Sequence, residues 1–100
     1  MVFGSIFDSR RSVLSPVQAL ELANIYLADA QSAQNSSIVM FLCHETGAML
    51  SHAKKTAKQA EMQTVRGQVA IAYINLGKVL DSLGEQEDAQ TSYKKAEKLG

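Results

Sequence analysis

Eight residues in the last third of the chain leave little freedom in what it can fold into. From Tyr73 the sequence reads Tyr-x-x-Leu-Gly-x-x-Leu, passes Gly84, and continues as Ala-x-x-x-Tyr-x-x-Ala through Ala89, Tyr93 and Ala96. Steps of three and four residues place Tyr73, Leu76, Gly77 and Leu80 on one stripe of a helix, and Ala89, Tyr93 and Ala96 on one stripe of the next. Gly84 stands between them, ready to supply the left-handed residue that ends a helix. Gly77 and Ala89 are small enough to let two antiparallel helices approach closely. Tyr73, Leu76, Leu80 and Tyr93 are sized to fill the seam, and Ala96 leaves room for a following helix.

The rest of the chain obeys the same period. Ser15-Pro16-Val17-Gln18 is a helix start, in which the serine oxygen and the glutamine side chain satisfy each other's backbone amides and proline is pre-set for the first turn. Leu20, Ala23, Ile25, Leu27 and Ala30 carry an apolar stripe to about residue 33, and Gln34-Asn35-Ser36-Ser37 reads as a turn that can cap a second helix. Ile38, Phe41, Leu42, Cys43, Ala48, Met49, Ala53, Ala57 and Ala60 predict that helix over 37–62, with Gly47 interrupting. Val65, Val69, Ala72, Tyr73, Leu76 and Leu80 predict a third over 65–83, and a fourth spans 86–99. Acidic Glu85, Glu87 and Asp88 near its start and Lys94, Lys95 and Lys98 near its end suit the helix dipole. No segment alternates with period two and no Asn-Gly or Asp-Gly turn occurs, so the expectation is an all-α chain. Residues 1–14 differ: Val2, Phe3, Ile6 and Phe7 make a small apolar cluster at helical spacing, followed by polar Asp8-Ser9-Arg10-Arg11-Ser12. They read as an N-terminal arm ahead of one helical domain over 15–100.

The pattern from Tyr73 to Ala96 resembles a tetratricopeptide repeat, a helical hairpin recurring at a period of about 34 residues. The resemblance covers residues 70–100, with the family's closing proline missing before Gly100. It is looser over 16–62, where Leu20, Ala23, Asn24 and Leu27 keep the spacing of Tyr73, Leu76, Gly77 and Leu80, and Ala53, Ala57 and Ala60 keep that of Ala89, Tyr93 and Ala96. It implies two antiparallel hairpins forming a fragment of a right-handed α-α superhelix, with a plain four-helix bundle as the rival architecture. It also implies a non-catalytic module that binds a peptide or partner helix along the face made by the first helix of each hairpin. On the third helix that face carries Ile71, Ile74, Asn75, Lys78 and Ser82. The alternative is self-association into a homodimer, with the arm or the last helix covering an open end of the array. Inclusion of such a piece in a longer multidomain chain is also compatible with these residues.

Composition narrows the function classes. One hundred residues make one domain, and 46% apolar with 20% charged residues is the balance of a globular chain. Ten basic against ten acidic residues give zero formal charge, so no net field draws in nucleic acid. No apolar run approaches the roughly 20 residues of a membrane span. One cysteine precludes an internal disulfide, and the expected location is cytoplasmic. Cys43 and His44, adjacent on a helix, point about 100° apart, which makes a poor nucleophile–base pair. His44 and His52 are eight residues apart with no carboxylate spaced to complete a zinc site. Phosphate-binding glycine loops, a nucleophile elbow and a dinucleotide fingerprint are missing, so no enzyme activity, metal or cofactor is expected.

Overall fold

The structure is a computed structural model that describes residues 14–99. The expected arm, apart from Leu14, lies outside the described residues, as does Gly100. Four α-helices and no strand make up the described chain: α1 (Pro16–Ser32), α2 (Ser36–Gln59), α3 (Gln63–Ser82) and α4 (Gln86–Leu99). Each boundary has a local cause. Ser15 accepts from the Gln18 amide at 3.2 Å while Gln18 Oε1 accepts from the Ser15 amide at 3.1 Å, with Pro16 opening α1. Asn35 Oδ1 accepts from the amides of Ser37 and Ile38 at 2.9 and 3.2 Å, which satisfies two of the unpaired donors at the start of α2.

The ends of α2 and α3 are closed in the same way. After α3, Gly84 takes φ +82° and the Glu85 amide returns to the Leu80 carbonyl at 2.9 Å. After α2, Glu61 takes φ 56° and the Met62 amide returns to the Ala57 carbonyl at 2.9 Å. Both are left-handed caps with a six-to-one hydrogen bond, one on the expected glycine and one on a glutamate. That second cap stops α2 at Gln59, three residues short of the expected 62, and lets α3 begin at Gln63 instead of 65.

Each helix turns back on its predecessor. α1 packs on α2 and α3 packs on α4, and the two hairpins are joined through α2–α3 and α1–α3 contacts. α1 and α3 form one layer, and α2 and α4 form the other. The core threads all four helices: Leu20, Ala23 and Leu27; Cys43, Leu50 and Ala53; Val69, Tyr73, Leu76 and Leu80; Ala89 and Ala96. Alanine at the crossings lets backbones approach while Tyr73, Leu50 and Val69 fill the centre. Gly77 is the most crowded of the described glycines. A Cβ placed there would lie 2.5 Å from Cε1 of the Tyr93 ring, so α3 meets this side chain of α4 closely enough that any larger residue forces a shift. The Ser92 hydroxyl donates to the Tyr73 carbonyl at 2.6 Å across the same interface.

Four residues expected on the inner stripes face outward. Ile25 is 55% exposed, Ile38 52% and Phe41 62%, and Ala60 is also exposed. Ile25 lies on the far side of α1 from Ala23 and Ala30. On α2 the inner stripe passes through Val39 and Cys43, one or more residues out of phase with Ile38 and Phe41. Ala60 falls in the loop because α2 has already ended. Gly47 does not break α2, and a Cβ there would meet Leu76 Cδ2 at an ordinary 3.8 Å.

Candidate functional site

The two-layer arrangement leaves a groove on each face. On the α1–α3 face, Val17, Glu21 and Asn24 of α1 oppose Gln68, Ile71 and Asn75 of α3. The two helices run in the same direction, so the start of one meets the start of the other. The groove is apolar at Ile71, 61% exposed, and at Val17, and it carries amides from Asn24, Gln68 and Asn75 with Glu21 as its one charge.

The five residues expected to form the binding face are divided by this geometry. Ile71 and Asn75 line the groove just described. Lys78 and Ser82 line a second hollow further along, where α3 faces Ala30, Gln31 and Ala33 at the end of α1 and Val39 of α2. The Ser82 hydroxyl donates to the Val79 carbonyl at 2.6 Å, so its proton is already engaged. Ile74, 40% exposed, lines neither hollow. Asn75 and Lys78 therefore serve different hollows.

The opposite face holds a cleft that sequence patterning missed. α2 and α4 share no extended interface, and the space between them, about 360 Å³, is floored by Tyr73, Leu76 and Leu80 of α3. Its α2 wall is Met40, Cys43, His44, Gly47 and Ser51, and its α4 wall is Asp88, Thr91, Ser92 and Lys95. Lys95 Nζ sits 5.8 Å from the centroid of the Tyr73 ring, within cation–π range. Ser51 Oγ and Tyr73 Oη are 3.3 Å apart at the same end. The available signal was the run of small residues, Gly47 and Ala48 facing Thr91 and Ser92, which leaves two helix walls too thin to meet.

Cys43, His44 and Tyr73 are the cleft's titratable lining near its α2 wall and floor. Burial pushes the Cys43 thiol above its ordinary pKa, which holds it protonated and weakly nucleophilic. His44 is exposed on the cleft rim next to it. Tyr73 is likewise raised, by burial first and against the lowering effect of its Ser51 hydrogen bond. Among the described residues no three His, Cys, Asp or Glu side chains converge as a metal site would require, and no helix is long and apolar enough to cross a membrane. No protein-family model, curated protein or solved structure matches the chain.

Proposed function

We propose that the protein is a non-catalytic interaction module of the tetratricopeptide-repeat type, binding a peptide or partner helix along the α1–α3 groove. The observation that carries this reading is Ile71, a large apolar side chain 61% exposed between the amides of Gln68 and Asn75 and opposite Asn24. An apolar anchor point flanked by amides suits a partner that supplies one apolar side chain and main-chain hydrogen-bonding groups. The groove carries no cluster of basic residues, so the reading excludes nucleic acid and needs neither cofactor nor metal. The spacing from Tyr73 to Ala96 supports the repeat assignment, as do the close approach at Gly77 and the left-handed cap at Gly84. A cytoplasmic location belongs to the same reading.

The test is selection of peptides from a random display library on the full chain, followed by amide NMR titration of a selected peptide. Shifts should cluster at Asn24, Gln68, Ile71 and Asn75, and Ile71→Glu should weaken binding by about tenfold or more. Peptides that bind Ile71→Glu as they bind the unaltered chain would refute the groove.

A second reading, self-association into a homodimer, is favoured by Ile38 and Phe41, exposed three residues apart on the outer side of α2. Light scattering over a dilution series separates the two, because a dimer built on that surface loses mass on dilution and reverts to monomer when Phe41→Ser is introduced.

A further inference from the structure

The α1–α3 face carries two opposite charges, and the fold sets them apart along one line. Ile71, Asn75, Lys78 and Ser82 follow one another on α3 at steps of four, three and four residues, a single stripe that runs from the first hollow into the second. Glu21 lines the first hollow with Ile71 and Ala72, and Lys78 lines the second. Lys78 stands six residues beyond Ala72, so at about 1.5 Å per residue the two charges are separated by roughly 9 Å along the seam. Both side chains are exposed, and neither is engaged in an ion pair among the described residues. Val17 and Ile71, 42% and 61% exposed, put the apolar part of the face at the Glu21 end.

We propose that the groove takes an extended peptide in the polyproline II form, with a basic residue against Glu21, an acidic residue three positions away against Lys78, and an apolar residue next to the basic one.

This rests on the groove reading above and adds the charge order of the partner to it. A peptide with its charges exchanged would bring a carboxylate to Glu21 and an ammonium group to Lys78, and like charges at that range repel. The form of the peptide follows from what lies between the two charges. Asn24, Gln68 and Asn75 present amides to the groove, and none of the three has a hydrogen-bond partner among the described residues. A helix satisfies its own main chain internally and leaves such amides nothing to bind. A polyproline II segment has no internal hydrogen bonds, so its N–H and C=O groups are open to them. The same form turns once every three residues and rises about 3.1 Å per residue, which places residues three apart on one side at about 9 Å, the spacing of Glu21 and Lys78 along the seam.

The experiment uses peptides selected by display on the full chain, together with a copy of each in which the basic and acidic residues are exchanged, and follows both by amide NMR titration. Selected peptides should carry a basic and an acidic residue three apart, and exchanging them should weaken binding about fivefold at low ionic strength. In about 1 M salt, where the Debye length falls to about 3 Å, the difference should shrink. Glu21→Lys/Lys78→Glu should invert the preference, so that the exchanged peptides bind better, a result that a folding defect would not produce. Peptides that shift the Ile71 and Asn75 amides without such a charge pair, or that bind the double variant unchanged, overturn the charge order and leave the groove reading standing. Selection of no peptide, or shifts confined to other surfaces, overturns both. Groove shifts that grow with protein concentration in the absence of peptide assign the groove to a second copy and overturn the proposal equally.

Discussion

Replacing Gly77 with alanine separates two effects that a helix-propensity scale would merge. In the interior of α3 alanine gains about 1 kcal/mol over glycine through backbone entropy alone. At Gly77 the added Cβ lies 2.5, 2.8 and 2.9 Å from Cε1, Cδ1 and Cζ of Tyr93. Restoring ordinary contact near 3.4 Å requires a relative movement of about 0.9 Å. The Tyr93 hydroxyl donates to Asp81 Oδ2 at 2.9 Å, so moving the ring also disturbs that hydrogen bond. Overpacking of this kind costs about 1–3 kcal/mol, so the net effect is a loss of about 0–2 kcal/mol. Gly67, ten residues earlier in the same helix, has nothing within 4 Å of its would-be Cβ, and alanine there should stabilise by the full propensity gain of about 1 kcal/mol. Urea unfolding followed by circular dichroism measures both, and Gly77→Ala should come out about 1–3 kcal/mol less stable than Gly67→Ala. In a Tyr93→Ala background the difference should collapse. If Gly77→Ala stabilises as much as Gly67→Ala with Tyr93 in place, the close contact of α3 and α4 is wrong.

Glu61→Gly should stabilise by about 1 kcal/mol in the same urea assay, since a left-handed residue with a Cβ is strained and glycine is not. Asn35→Ala should lower stability by about 1 kcal/mol through loss of the cap on α2, read as a lower urea midpoint at unchanged slope. The Tyr93 phenol has its pKa raised, chiefly by donating to Asp81, with smaller contributions from desolvation and from the Asp81 charge. A folded pKa above the unfolded value of about 10 gives stability that is present below pH 10 and lost as pH rises through the folded pKa. Melting temperature should therefore fall more steeply above pH 10 in the unaltered chain than in Tyr93→Phe, with buried Tyr73 contributing the remainder in both.

How legible each part was depends on whether its cause is local. Ser15 with Gln18, Asn35, and Gly84 announced their boundaries because the groups that close a helix end lie within three or four residues of it. Glu61 announced nothing: its φ of 56° is imposed by the turn that lets α3 return against α2, and glutamate carries no preference for it. Ile25, Ile38 and Phe41 are apolar in type yet face outward, because helical phase against the partner helix decides exposure. The α1–α3 groove was half visible. Ile71 and Asn75 share a helix face that spacing reveals, but Val17, Asn24 and Gln68 join them only through the packing of α1 beside α3.

By itself the sequence determined the all-α class, the four helices, the caps written in short-range motifs, and a small residue at position 77. These follow from a period of 3.6 residues and from side-chain volume, both of which can be counted along the chain. Tertiary structure alone decided that α2 and α4 diverge, that Tyr73, Leu76 and Leu80 form the floor of a cleft between them, and that Lys78 and Asn75 serve separate hollows. The physical reason is that a groove is the space left where two surfaces fail to meet. That space depends on the distance and angle between helices more than 30 residues apart in sequence, which no local preference encodes.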